Sequence, residues 1–343
     1  MITFRRILIS LICFCGIIQF SCDNDLVSPN RGLRLYRSVK LPSIQNFVSV
    51  EFVDDRTGWG IGKKGTIYYT NDGGINWEAQ RSGIEDDLAA AQFLDYQNGW
   101  IVGENNLIGT NDGGKTWHVK ISNVPFSRFA AIYFCNKNIG WVSGSADGKI
   151  YHTTDSGKNW TIQQTDTMGR VVSLFFDNST NGFSLSNIKG LYRTTNGGKR
   201  WSKIEQPRFC STVNFISNLI GYAGNNVMPS SLMKDEAQIF KSNDGGNTWE
   251  EQNFSPQAKA VWEISFLNAS VGFAIAGGLG SFSESPEDWL ECGNLFFTMN
   301  GGNNWNRVER FTLDVIDVNK CGRNKVCVLT KKGEIQFFEM EII

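Results

Sequence analysis

Residues Thr70–Trp77 read TNDGGINW, and residues Thr110–Trp117 read TNDGGKTW. Four more copies follow: TTDSGKNW (Thr153–Trp160), TTNGGKRW (Thr194–Trp201), SNDGGNTW (Ser242–Trp249) and TMNGGNNW (Thr298–Trp305). The steps from Trp to Trp are 40, 43, 41, 48 and 56 residues. A period near 40–45 residues with strand-like content is the signature of propeller blades.

A second string keeps step with the first. It reads GWGIG at Gly58, GWIVG at Gly99, GWVSG at Gly140, GFSLS at Gly182, GYAGN at Gly221 and GFAIA at Gly272. Each is preceded by an alternating apolar run that ends in Phe, at Phe52, Phe93, Phe134, Phe176, Phe215 and Phe266. One unit is therefore strand, turn, Gly–aromatic strand, short hairpin, strand, box turn, Trp strand. That is a four-stranded antiparallel meander. After the sixth box, FTLDVIDV (Phe311–Val318), KVCVL (Lys325–Leu329) and GEIQFF (Gly333–Phe338) supply three strands of a seventh unit. Its fourth strand stands at the other end of the chain, in GLRLYRSVKL (Gly32–Leu41). The fold expected is all-β: a single seven-bladed β-propeller over residues 32–343, with the N-terminal strand closing the last blade. Such closure pairs two edges that would otherwise be exposed.

The box lies between the third and fourth strands of each blade. Its carboxylate can accept backbone N–H bonds from the turn that follows. Its Gly pair can take positive φ, and its Trp can pack on the neighbouring sheet. Asp72, Asp112, Asp155 and Asp244 hold the carboxylate position in four copies, and Asn196 and Asn300 replace it in two. An amide keeps the hydrogen bond and loses the charge. A turn accepts that exchange, whereas a metal site or a general acid generally does not, so the six are expected to be structural.

These strings resemble the Asp-box, or BNR, repeat. Their pairing with the Gly-Trp strands is similar to the photosystem II assembly and stability factor family, which has relatives in non-photosynthetic bacteria. The resemblance spans nearly all of the chain after the leader. It implies the fold strongly and the function weakly, since Asp-boxes also occur in sialidases, xyloglucan-active glycoside hydrolases and sortilin-type receptors.

Residues 1–21 read as a signal peptide of lipoprotein type. Arg5 and Arg6 precede the apolar run Ile7–Phe20, which is too short for an ordinary membrane span. FSC at Phe20–Cys22 resembles a lipobox, with Gln19 where an aliphatic is usual. Cys22 would then be the lipidated first residue, residues 22–31 a linker, and the membrane a partner through that anchor. Cleavage by ordinary signal peptidase and an uncleaved anchor are the alternatives. Either way the chain is expected to leave the cytoplasm, and with the lipid anchor it is expected in the cell envelope as an outer-membrane or cell-surface lipoprotein. Export permits disulfides, and Cys321 and Cys327 flank the turn-like GRNK as a candidate pair.

Few features carry chemistry. GIGKKG (Gly60–Gly65) fits a phosphate-binding pattern, but no helix follows it. No GxSxG elbow exists, and His118 and His152 are the only histidines; both are expected on outer strands beside boxes. Cys and His do not form a zinc pattern, so no metal and no cofactor are expected. A net charge of −1 gives no argument for nucleic acid. The sialidase Arg-Ile-Pro string is missing. The xyloglucan-active enzymes pair two propellers, whereas this chain supplies one. A carboxylate pair at hydrolytic spacing stays open, and Glu85, Asp86 and Asp87 are most simply solvated loop charges.

The partner is expected at the face carrying the inter-blade connections. Both long insertions, Asn225–Gln238 and Gly277–Asn294, fall in second-to-third strand loops of adjacent blades. Trp289 stands among four acids in the second, either as an interface anchor or folded over its own loop. Arg128, Arg170, Arg208 and Lys259 precede the innermost strands of four blades. By repeat position they look like the arginine-rich patch of the photosystem assembly family, suited to carboxylates or an acidic peptide segment. Ordinary loop charge is the other reading. The leading expectation is a non-enzymatic scaffold for assembly or adhesion that binds a protein segment. The alternative is a glycan-active or glycan-binding propeller.

Overall fold

The computed structural model describes residues 32–41, 47–122, 131–144, 148–163, 168–186, 189–207, 210–225, 237–254, 260–277, 293–308 and 315–340. The chain divides into residues 1–31 and residues 32–343, and the second unit is the propeller. It holds seven four-stranded antiparallel sheets. Blade 1 runs Phe47–Phe52, Gly58–Gly62, Thr66–Thr70 and Glu78–Arg81 from the innermost strand outward. Blades 2 to 6 repeat that order along the chain. Blade 7 combines Val315–Lys320, Lys325–Thr330 and Glu334–Met340 with Leu33–Lys40 as its outermost strand.

Burial follows strand position, which explains why the sequence patterns differ. Second strands are buried on both sides, and Gly58–Gly62, Gly99–Gly103 and Gly182–Ser186 have no exposed residue. Innermost strands alternate buried and half-buried positions, and outermost strands such as Glu78–Arg81 are mostly exposed. The apolar core is divided among seven clusters, one at each joint between neighbouring blades.

The Gly–aromatic string and the inner-strand Phe meet at those joints. Trp59 stacks on Phe93 of the next blade with ring centroids 3.7 Å apart and planes 4° apart. Trp100–Phe134, Trp141–Phe176, Phe183–Phe215 and Tyr222–Phe266 repeat the stack at 3.5–3.7 Å. The opposite face of each Phe covers the glycine of its own blade: a Cβ on Gly99 would lie 2.2 Å from Phe93 Cδ1. Each stack contributes about 0.5–1.5 kcal/mol beyond the area that it buries.

Blade 7 departs from this pattern. Lys320 stands where the other blades carry Phe, and Cys327 where they carry Trp, Phe or Tyr. Its joint with blade 1 is held by other means. Asp317 Oδ2 accepts the Val50 N–H at 2.9 Å, and Asn319 Nδ2 donates to the Val50 carbonyl at 2.9 Å. Phe337 meets Phe52 edge-on at 5.7 Å. Arg37 lies 4.1 Å over the Phe337 ring and donates to the Gly73 carbonyl in the first box. Lys325 Nζ lies 3.4 Å from Asp55 Oδ2. The closing strand pairs from Leu33↔Met340 to Lys40↔Glu334, with an irregularity between Leu35 and Arg37.

Two details differ from the reading of the sequence. His152 lies on the third strand of blade 3, stacked on Trp141 at 4.9 Å, and only His118 is on an outermost strand. The innermost strand of blade 7 runs on to Lys320, two residues past Val318, and its described part begins at Val315, with residues 311–314 outside the described set.

Candidate functional site

The two ends of the propeller have different chemistry. At one end the box turns meet the turns that join first and second strands. The first Gly of the box donates its N–H to that neighbouring turn, as in Gly73 to Arg56, Gly113 to Gln97, Gly197 to Thr180, Gly245 to Leu219 and Gly301 to Ser270. Within box 1 the Gly74 N–H donates to Thr70 Oγ1 at 2.8 Å, and the Thr70 hydroxyl donates to Asp72 Oδ1. The Asn76 N–H donates to Asp72 Oδ1 at 2.9 Å, and the Asn76 amide to Oδ2. In the amide copies Arg200 N–H still donates to Asn196 Oδ1 at 2.9 Å, and Asn304 N–H to Asn300 Oδ1 at 3.0 Å.

These bonds hold the carboxylates ionised. Hydrogen bonds from Asn159 lower Asp155 to about 2, and those from Thr248 do the same for Asp244. At Asp112 partial burial pushes upward, but the bonds from Thr116 and Thr110 outweigh it and leave the group at about 2. A carboxylate so saturated with donors is a poor general acid. Among the described residues no cluster of His, Cys, Asp or Glu is arranged to hold a metal ion.

The opposite end carries the inter-blade connections and the second-to-third strand hairpins. GIGKKG forms one of these hairpins: Gly58–Gly62 pairs with Thr66–Thr70, and Lys64 and Gly65 turn with φ of 53° and 66°. Asp86 and Asp87 are bound into the backbone rather than free. Asp86 accepts from the Asn105 N–H and the Asn106 amide, and Asp87 accepts from the Lys64 N–H. Arg170 is half-buried directly before Val171–Phe176, the innermost strand of blade 4. Arg128, Arg208, Lys259 and Trp289 lie outside the described residues, as does Cys22. The strands flanking both long insertions end at this face, and the Asn225 N–H donates to the Gln238 carbonyl at the base of the first.

Cys321 and Cys327 are both buried at the joint of blades 7 and 1, as separate thiols. The ladder places Cys327 opposite Asn319, while the Cys321 N–H bonds to the Lys325 carbonyl.

One group was not legible as a group in the sequence. Glu263, Asp317 and Glu51 lie on the innermost strands of blades 6, 7 and 1, which are consecutive around the ring. Asp317 is buried while Glu51 and Glu263 are half-buried, and desolvation pushes Glu51 to about 8 and Asp317 to about 6. Glu263 is raised by burial and by the neighbouring Asp317. The one available signal was an acid at two inner-strand positions: where Glu263 and Asp317 stand the other blades place Ser, Ala or Thr, and where Glu51 stands they place Gln, Tyr, Phe, Asn or Ser.

Comparison with known proteins agrees with the architecture. The family described as photosynthesis system II assembly factor YCF48 matches residues 29–174 and 77–204, which together cover 29–204, just over half of the chain. A photosystem II assembly lipoprotein Ycf48 from Synechococcus sp. (strain CC9902) is 26% identical over 206 residues, covering 57% of this chain and 60% of that protein. The Nostoc sp. (strain PCC 7120) protein of that description is 24% identical over 320 residues, covering 76% and 89%. The first match thus spans less than two thirds of its relative, and the second most of it. A solved structure of YCF48 bound to D1 peptide superimposes with a TM-score of 0.67 at 20% identity, covering 89% of this chain and 97% of that one. The GH74 xyloglucanase from Xanthomonas campestris gives 0.64 at 13% identity, and only 53% of that chain is covered. With six Asp-box blades and a seventh blade completed by an N-terminal strand, the chain belongs to the YCF48 family of photosystem II assembly factors.

Proposed function

We propose that this propeller is a non-enzymatic scaffold, exported and tethered to a membrane by lipid at Cys22, that binds a segment of another protein across its inter-blade face. The observation carrying this reading is the division of labour between the two ends. The box carboxylates are consumed by their own turns, while the strands that flank both long insertions end at the other face. The family is one of assembly factors, and its solved relative holds a peptide, which supports a protein segment as the ligand class. Relatives described as lipoproteins support the tether. Among the described residues no helix is long and apolar enough to cross a membrane.

Arg128, Arg170, Arg208 and Lys259 each precede in sequence the innermost strand of their blade, so they are the proposed contacts for acidic groups on the partner, with Trp289 as the apolar anchor. Arg128→Glu combined with Arg170→Glu should abolish most partner capture from envelope extracts. Capture equal to wild type would remove the basic rim from the proposal. A glycan array and a reducing-sugar assay address the glycan reading; turnover lost on substituting one acid, with Glu51 and Glu263 the first to try, would favour it.

A further inference from the structure

Six large apolar side chains are exposed among the described residues: Ile75, Tyr96, Val119, Ile162, Leu219 and Met299. Val119 and Ile162 lie on outermost strands. The other four stand at the box end, Ile75 and Met299 in box turns and Tyr96 and Leu219 in first-to-second strand turns. None of the six stands on the inter-blade face.

Charge at the box end is unevenly spread as well. In blades 1 to 4 the box-end turns carry acids and bases of both signs, among them Asp54, Arg56, Lys115, Lys137, Lys158 and Lys199. In blades 5 and 6 the corresponding stretches are ISNLIG, SNDGGNTW, LNASVG and TMNGGNNW, and Asp244 is their only charged residue. That neutral sector holds Leu219, 53% exposed, and Met299, 36% exposed. Between its turns lies a cleft of about 340 Å³ lined by Ile216, Ile220, Phe266 and Leu267 together with Asn214 and Asn268.

The closing strand begins at this same end. Leu33 pairs with Met340, the last residue of the third strand of blade 7. Gly32 sits against Met299: a Cβ there would lie 2.3 Å from the Met299 sulfur. The chain that precedes Gly32 therefore starts from the neutral, apolar sector. Residues 22–31 are ten residues, which span at most about 35 Å when extended. A tether of that length keeps the sector close to the bilayer surface.

We infer that the box end of blades 5 and 6 is the membrane-facing surface of the propeller, with Leu219 and Met299 resting in the interface of a lipid bilayer. Apolar side chains on rigid turns, where the cations that reach in, Lys241 at the Gly301 carbonyl and Arg193 at Asn247, are hydrogen-bonded to the turns, suit the headgroup–acyl boundary without requiring anionic lipid. The inter-blade face then points away from the bilayer and presents its loops to the partner. This inference rests on the tethered reading above and adds the orientation to it.

The test uses the full-length chain purified from membranes and reconstituted into phosphatidylcholine vesicles that carry a nitroxide-labelled lipid. A fluorophore is placed at Asn303→Cys in box 6, at Lys115→Cys in box 2, or at Lys331→Cys in the opposite hairpin, each with Cys135→Ser and Cys292→Ser. Quenching should be strongest at position 303, intermediate at 115 and several-fold weaker at 331. Leu219→Asn with Met299→Asn should reduce the quenching at 303 by at least half. Equal quenching at all three positions, or stronger quenching at 331, overturns the orientation while leaving the tether intact. Quenching at 303 unaffected by the double substitution overturns the role of the apolar pair. A full-length chain that is not recovered with membranes, or that Cys22→Ala leaves just as firmly bound, refutes lipid tethering. The first of these results takes the orientation with it; the second leaves the label ranking to decide it.

Discussion

Ser156 shows what the box demands of a single residue. It takes the place of the first Gly in the third box and adopts φ 65°. A side chain in that region is strained by roughly 1–2 kcal/mol. Its hydroxyl recovers a part by donating to Asn138 Oδ1 at 3.0 Å. Ser156→Gly should therefore raise stability by about 0.5–1 kcal/mol in urea unfolding, with the unfolded-chain entropy of Gly limiting the gain. The carboxylate position makes the complementary case. Asp112 accepts from the Thr116 N–H at 3.0 Å, from the Thr116 hydroxyl at 2.6 Å and from Thr110. Asp112→Asn should keep the backbone bond and cost about 0.5–1 kcal/mol, whereas Asp112→Ala strips all three and should cost about 1–3 kcal/mol. Equal losses for the two would show that charge, not turn geometry, is what the box needs.

The closing strand is the element on which the ring depends, because it covers the one blade that lacks a box of its own. Leu33, Leu35 and Val39 bring apolar contacts, and Arg37 covers the Phe337 ring of its own blade and ties the strand to blade 1 through the Gly73 carbonyl. Arg37→Ala should cost about 1.5–3 kcal/mol, read as a lower urea midpoint with an unchanged slope. A lower slope as well would mean that blade 7 opens before the rest. This strand was legible in the sequence by subtraction, since six boxes and three orphan strands require one more strand from elsewhere. The two strings that form the stacks were legible too, because they recur in phase, although their meeting across the blade joints was not. The substitutes in blade 7 were not. Lys320 and Cys327 break both strings, and the polar ties from Asp317 and Asn319 to Val50 join residues 267 and 269 positions apart. The proposed binding rim was legible only as a recurring sequence position, because side-chain direction in a connecting loop is not set by strand periodicity.

The ring as a whole gathers Glu51, Glu263 and Asp317 around one sector of its inner wall, and that should set its response to pH. Burial, with repulsion from Asp317 added, raises Glu51 to about 8, and burial raises Asp317 to about 6 against the hydrogen bonds that it accepts, while an unfolded chain gives up these protons near pH 4 to 4.5. Below pH 4 both states hold the protons and the acids impose no penalty. Between pH 4.5 and 8 the folded state must retain protons that the unfolded state has released, or bear buried charge. Stability therefore falls as pH rises through this window. The box acids act in the opposite sense at lower pH. Asp112, Asp155 and Asp244 lie at about 2, so their contribution is present above about pH 4 and lost as pH falls toward 2. Thermal unfolding should accordingly peak near pH 4–5, with a midpoint that declines toward pH 8. Glu51→Gln should flatten the alkaline side of that profile, since an amide titrates nowhere in the range, and should leave the acid side unchanged. An alkaline decline that persists in Glu51→Gln and in Glu263→Gln alike would show that water in the channel already solvates these groups, and that the ring tolerates their charge without loss.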